Sequence, residues 1–343
     1  MVGTPRHVVL GGSGFIGRHV ALALLRRGDP VLIAGRTSPP LPAADRAGLR
    51  FVPLDFAEAD WGAVLQDGDV VHHYAWSTIP TTANDDPLSD LDINLRGTLR
   101  LLQAARARRG VRVLFSSSGG TVYGPAARRP IPESDDLQPM TAYGVSKVAA
   151  EKYLGFYRAL HGLDTRIARL SNPYGIGQNI ERRQGAISAF LRRMAAGQPI
   201  EIWGDGSVVR DFLHIDDAVR GLLALADASP EALPALPVFN LGSGTGLSLN
   251  ELLGILRGLA GPDLAVERHP GRRFDVPWNV LDIALARRHL GWAPRIAVAD
   301  GIAMVMRDGE AGRSEFSSLP SFPPLSVPQL SARSIHLRTT GAR

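Results

Sequence analysis

The sequence predicts an α/β protein: a doubly wound parallel sheet with helices on both faces, followed by a smaller C-terminal substrate-binding lobe. Three observations support this. Short apolar runs alternate with helical spacings through the first half of the chain. A glycine-rich turn joins the first run to the first helical pattern. After Arg169 the alternation loosens into turns and isolated helical stretches.

His7–Leu10 reads as the first strand and Gly14–Arg26 as the first helix. Val31–Ala34, Phe51–Leu54, Val70–His73 and Val111–Ser116 continue the strand series. Between them, Leu91, Leu95, Leu99 and Leu102 share one face of a helix over Leu91–Arg108, and Ala142–Leu160 reads as another. Asn172–Gly175 and Trp203–Gly206 read as turns, and Gly185–Ala196, Asp216–Ala226 and Leu249–Leu259 as helices. Ser248 and Glu251 have capping-box spacing ahead of the last of these. The boundaries drawn are 1–171 for the nucleotide domain, to which about 208–243 returns, and 172–207 with 244–310 for the second lobe. From Ala311 onward Ser, Pro and Leu dominate without a period, as in a poorly ordered tail.

Composition excludes several classes. The chain has no cysteine, so neither a disulfide framework nor a thiolate metal site is possible, and no metal is expected. Apolar stretches such as Val20–Leu25 are far shorter than the ~20 residues of a membrane span. The N-terminal residues carry no apolar signal region, which favours the cytoplasm. A net charge of +5 raises the question of nucleic acid, but the arginines are dispersed without aromatic interleaving, so no nucleic-acid partner is expected. Lys147 and Lys152 are the only lysines among 38 basic residues. A lysine that persists against such a bias is a candidate for work arginine cannot do.

Gly11-Gly12-Ser13-Gly14-Phe15-Ile16-Gly17 follows a strand and opens a helix. Gly11 permits the tight turn, Gly14 lets the backbone approach a pyrophosphate, and Gly17 lets helix and strand pack closely. The N–H groups at the helix start, including those of Phe15 and Ile16, then face an anion. This is a Rossmann-type site for NAD. The second strand, however, ends in Gly35-Arg36 where an acid would bind the ribose 2′-hydroxyl. Arg36 suits adenine stacking or a 2′-phosphate, which leaves NADP open. Asp55, after the third strand, suits the adenine amino group or a turn cap.

Tyr143 and Lys147 stand four residues apart near a helix start, on one face. A phenol is a poor base at neutral pH, and a nearby cation lowers its pKa. The strand end Ser116-Ser117-Ser118-Gly119-Gly120-Thr121-Val122-Tyr123-Gly124 supplies hydroxyls for polarising a substrate oxygen.

With these motifs the chain resembles the extended short-chain dehydrogenase/reductase family, in its NAD-dependent epimerase/dehydratase branch, over about residues 7–308. The resemblance is carried by Gly11–Gly17, His73-Tyr74-Ala75, Asn94, Ser116–Gly124, Tyr143–Lys147, Asn172–Gly175, Arg210-Asp211-Phe212 and Leu290-Gly291-Trp292. It implies that Tyr143 is the base, that Lys147 orients the nicotinamide ribose and tunes Tyr143, and that Ala75 and Asn94 belong to the cofactor site. It also implies that Asn172 contacts a nucleoside-diphosphate sugar, that Arg210 and Arg272 hold its diphosphate, and that the protein is a homodimer. Family members carry the catalytic hydroxyl four residues before the tyrosine of Val-Tyr-Gly, which here is Gly119. Either Ser118 or Thr121 takes the role, and Ser118 is the assignment adopted, with both near the substrate. Family dehydratases place acids where this chain has Gly120 and Thr121, so the resemblance implies 4-epimerisation. An NADPH-dependent 4-keto-sugar reductase is the alternative.

Overall fold

The computed structural model describes residues 4–39, 41, 43–178, 185–271 and 276–311. Arg272 and the tail beyond 311 lie outside the described residues.

The strands are β1 His7–Leu10, β2 Val31–Gly35, β3 Leu49–Pro53, β4 Val70–His73, β5 Arg112–Ser118, β6 Asp164–Leu170, β7 Asn172–Tyr174, β8 Ile200–Trp203, β9 Val209–His214, β10 Val238–Leu241, β11 Gly246–Ser248, β12 Val266–His269 and β13 Trp278–Asn279. Seven of them form one parallel sheet in the order β10-β6-β5-β4-β1-β2-β3. Strands buried on both faces need apolar side chains throughout, as Val8, Val9, Leu10, Leu32 and Ile33 supply. Helices Phe15–Arg26 and Ile215–Asp227 cover one face through Val20, Leu24, Ala218 and Leu222. Gly97–Arg106 and Ala142–His161 cover the other through Leu101, Leu102, Ala150 and Leu154. Strand order reverses beside β1, and ligands in such sheets bind at the carboxyl ends of the strands there.

A second sheet, β11-β9-β13 with β7 beside β9, and the β12-β8 pair enclose a smaller apolar core around Phe190, Ile202, Phe212 and Leu256. Of segment 208–243, the helix and β10 join the large sheet's layers, whereas β9 is central to the second sheet. The Ser248/Glu251 capping box forms at the helix Leu249–Ala260.

Two readings need correction. Asn172–Tyr174 is a strand, parallel to β9, because its carboxyl-end position lets it pair between the two sheets. Leu91–Arg108 is not one α-helix: Leu91–Arg96 is wound as a π-helix and only Gly97–Arg106 is α-helical. Widened turns of this kind concentrate at functional sites, and this one presents Asn94.

Candidate active site

β1 delivers the chain into the glycine turn. Gly11 has φ +77°, and a Cβ there would stand 2.8 Å from the backbone nitrogen of Ala75. A Cβ at Gly17 would overlap the Gly11 carbonyl oxygen, and one at Gly14 would come within 3.1 Å of it. The turn therefore requires glycine at 11 and 17 and leaves little room at 14. Gly14 caps the helix Phe15–Arg26 without a side-chain acceptor, so first-turn N–H groups are left for an external anion.

One long cleft starts at this turn. Its lining includes Gly11, Gly14, Phe15, Ile16 and Gly17, then Arg36, Asp55, Ala75 and Asn94, and finally Ser118, Thr121, Tyr143 and Asn172. Arg36 is exposed at the end of β2, and a Cβ on Gly35 would meet nothing within 4 Å. Asp55 accepts from the Ala57 backbone N–H at 2.9 Å, so it is a turn cap that also lines the cleft. Asn94 is fully buried, accepts from Ser77 N at 2.9 Å and donates to Asp90 at 2.9 Å. The glycine cradle, the open first helical turn and a cleft running on to Tyr143 fit a dinucleotide.

At the far end, β5 and the helix Ala142–His161 bring the hydroxyls and the phenol together. Thr141 caps that helix by accepting from Gly144 N at 3.2 Å. After Ser118 the chain turns sharply, with Thr121 N and Val122 N each 3.1 Å from the Ser118 carbonyl. A Cβ at Gly119 would lie 2.5 Å from Leu281 Cδ1, so a side chain there would have to displace Leu281. A Cβ at Gly120 would stand 3.6 Å from Asn172 Oδ1 and 3.9 Å from Ser118 Oγ, so those side chains flank Gly120. The Thr121 hydroxyl leans back toward the Ser118 carbonyl at 3.5 Å.

Behind these groups lies a buried polar buttress. Arg169 grips Glu151 through Nη2 at 2.6 Å and donates to the Tyr123 hydroxyl at 2.9 Å. Ser117 donates to the same Glu151, and Tyr123 to Asn240 at 2.6 Å. Removing one partner of such a buried pair costs about 3–5 kcal/mol.

Lys147 does not line the cleft. It is buried behind Tyr143, Trp76 and Ser116, with Nζ donating to the Ser116 carbonyl at 2.8 Å. Burial pushes its pKa well down, against the opposing charges of Asp90 and Glu151. The Tyr143 phenol does not show the lowered pKa expected from its neighbour. Burial pushes it up, and the Asp90 charge pushes it further. Beneath the cleft floor, burial and the Lys147 charge push His73 down to about 3.

The model of a known family, described as the NAD dependent epimerase/dehydratase family, matches residues 7–242. The chain belongs to that family. Over 305 residues, 87% of this chain and 96% of the relative, it is 34% identical to a UDP-glucose 4-epimerase of Mycolicibacterium smegmatis. A UDP-glucose 4-epimerase of Thermotoga maritima solved with UDP-glucose is similar, at 30% identity and TM-score 0.80, over 88% of this chain and 97% of that one. One from Thermus thermophilus in complex with NAD has 28% identity and TM-score 0.76 over 88% and 97%.

Within this epimerase/dehydratase frame the expected diphosphate residues are the least gathered. Arg210 does not line the cleft, and its Nη1 donates to the carbonyls of Val276 at 2.7 Å and Val209 at 3.0 Å. Asn172 lines the cleft, with Nδ2 donating to the Asp211 carbonyl at 2.9 Å. Arg272 lies outside the described residues. Sequence reasoning also passed over Trp76 and Asp90, which with Ser116 surround Lys147. Trp76 had a signal: it directly follows the quoted His73-Tyr74-Ala75 and is one of five tryptophans.

Proposed function

We propose that the protein is a nucleotide-sugar 4-epimerase that oxidises and re-reduces C4 of a nucleoside-diphosphate hexose through a 4-keto intermediate, with bound NAD. The observation that carries the reading is the single cleft running from the glycine turn to Tyr143, Ser118 and Asn172. The cleft-lining acids among the described residues, Asp55, Glu58 and Asp92, lie away from this end. Asp92 and Glu58 are joined through Arg96, at 3.8 and 3.1 Å. Elimination of water would call for an acid that faces the cleft at this end; Asp90, near Tyr143, is buried and does not line the cleft, so this distribution favours epimerisation over dehydration.

The bound dinucleotide supplies the acceptor and donor of hydride. Tyr143 takes the C4 hydroxyl proton as the carbonyl forms and returns it when C4 is reduced on its other face. Ser118 donates to the C4 oxygen. A buried phenol beside Asp90 resists ionising, so the Lys147 ammonium next to it must offset that cost. Asn172, Arg210 and Arg272 belong to the sugar-nucleotide side, with 172–207 and 244–310 as the substrate lobe.

A homodimer is supported by exposed apolar side chains on the Tyr143 helix, Val145, Tyr153, Phe156 and Leu160, beside exposed Leu88 and Leu91. Among the described residues no helix is long and apolar enough to cross a membrane. The reading places the enzyme in the cytoplasm, with its nucleotide substrates. A second reading, NADPH-dependent reduction of a 4-keto sugar, draws on Gly35-Arg36, where open space and a guanidinium suit a 2′-phosphate.

Incubating the protein with UDP-, dTDP- and GDP-hexoses, with NAD or NADPH, and following products by NMR tests both. C4 inversion without net cofactor consumption is expected; turnover that demands added NADPH selects the reductase, and no inversion with any sugar rejects the epimerase. Tyr143→Phe should lower turnover by about 10²–10⁴-fold, and Ser118→Ala should lower it more than Thr121→Ala.

A further inference from the structure

The surroundings of Lys147 are more specific than its pairing with Tyr143 requires. Its Nζ lies 3.7 Å from the Trp76 ring centroid, 4.6 Å from that of Phe115 and 5.6 Å from that of Tyr143. Within about 6 Å of a ring face an ammonium is attracted, most strongly by tryptophan. The Trp76 ring in turn packs against Phe115 and, edge-on, against Tyr143. Its Nε1 is buried without a hydrogen-bond partner, although a buried indole N–H usually finds one. The ring is thus placed for its face.

The charged groups around Lys147 divide clearly. On its own helix, Glu151 is already held by Arg169 from β6 and takes the Ser117 hydroxyl. From β4, His73 is kept neutral by burial. From the short helix Pro87–Asp90, the fully buried Asp90 accepts from Asn94 at 2.9 Å and from the hydroxyls of Thr78 and Ser146. Those partners are all neutral, and the ion pairs among the described residues give Asp90 no guanidinium. Its charge bears on both Lys147 and Tyr143.

We propose that Trp76 and Asp90 are positioning residues that hold Lys147 as an ammonium beneath the reaction end of the cleft. Trp76 does so with its ring face, and Asp90 as the carboxylate that balances the charge. The consequence for turnover rests on the epimerase reading of Tyr143; the holding itself does not. Asp90 favours the ammonium but disfavours the Tyr143 phenolate, so the pair works only while Lys147 stays charged.

The test uses the scarcity of lysine. Full-length protein labelled with [15N]lysine gives two side-chain Nζ signals, from Lys147 and Lys152, assigned with Lys152→Arg. Titration by NMR should show Lys147 protons displaced upfield by the Trp76 ring current, an effect lost in Trp76→Leu. Trp76→Leu and Asp90→Asn should each lower the Lys147 midpoint by about one pH unit, while Trp76→Phe, which keeps a ring face, recovers part of the shift. Absence of the upfield displacement in the parent, or an unchanged midpoint in Trp76→Leu, overturns the proposal even if Asp90→Asn does not fold. In kinetics, the alkaline fall in kcat should move to lower pH with the midpoint while KM holds. A shifted midpoint with an unmoved kcat profile would count against the epimerase role of Tyr143–Lys147 and leave the holding intact.

Discussion

The nucleotide half of the cleft and its sugar half are built on different principles. In the nucleotide half, backbone geometry makes the site: three glycines, a helix start and the ends of parallel strands. In the sugar half, side chains make it, and they come from distant segments. Asn172 is on β7, Ser118 ends β5 and Tyr143 opens the helix Ala142–His161, while Arg210 on β9 stays outside the cleft lining. Asn172 and Arg210 are both tied to backbone carbonyls by their own side chains. A backbone site is complete once the chain is folded; a side-chain site is completed by its ligand.

This difference can be broken or sharpened by experiment. The largest effect is expected in the backbone half. Gly17→Ala places a methyl on the Gly11 carbonyl, with no flexible side chain to give way. NAD affinity measured by calorimetry should fall by at least about 100-fold, or ~2.7 kcal/mol. Parent-like affinity would show that the turn tolerates what its geometry forbids.

Next comes pH. His73 lies beneath the nucleotide half with its folded pKa pushed down to about 3, and burial lowers His7 and His72 too. Between the unfolded value near ~6.5 and the folded one, only the unfolded chain binds these protons. Stability should therefore fall as pH drops below that unfolded value, by about 1.4 kcal/mol per pH unit for each such histidine. Denaturant melts from pH 7 to 5 check this, and His73→Gln should flatten the slope by about one histidine's share. An unchanged slope would mean that His73 binds its proton as readily in the folded as in the unfolded chain.

The smallest effect belongs to the side-chain half. Arg210→Ala should raise KM for the nucleotide sugar by a few-fold, on the order of 1 kcal/mol, and leave NAD affinity unchanged. A loss of 100-fold would mean that Arg210 is already committed to the substrate and would erase the contrast.

The same contrast explains what could be read from the sequence. The nucleotide half was legible because glycine spacing and apolar runs are local signals, and β1 and β4 fall where their residues predict. β6 was passed over because its Thr165-Arg166-Ile167-Ala168-Arg169 run does not look like a buried strand. Both arginines are buried, and distant partners satisfy them: Leu225 and Ala226 carbonyls for Arg166, Glu151 and Tyr123 for Arg169. Asn172–Tyr174 read as a turn because Asn, Pro and Gly are turn residues, yet pairing with β9 outweighs that preference. Trp76 and Asp90 act through space on Lys147, and no spacing rule links residues that far apart in the chain.

The contact between Gly119 and Leu281 has a consequence for engineering. Asn279 also reaches back, its Nδ2 donating to the Gly119 carbonyl at 3.0 Å, so late residues clamp the loop that carries the Ser118 hydroxyl. The segment after β13 and the loop after β5 are therefore not interchangeable parts. A chimera that borrows another protein's C-terminal lobe to change sugar preference would alter the reacting end as well, unless Asn279 and Leu281 were kept with the recipient's own loop.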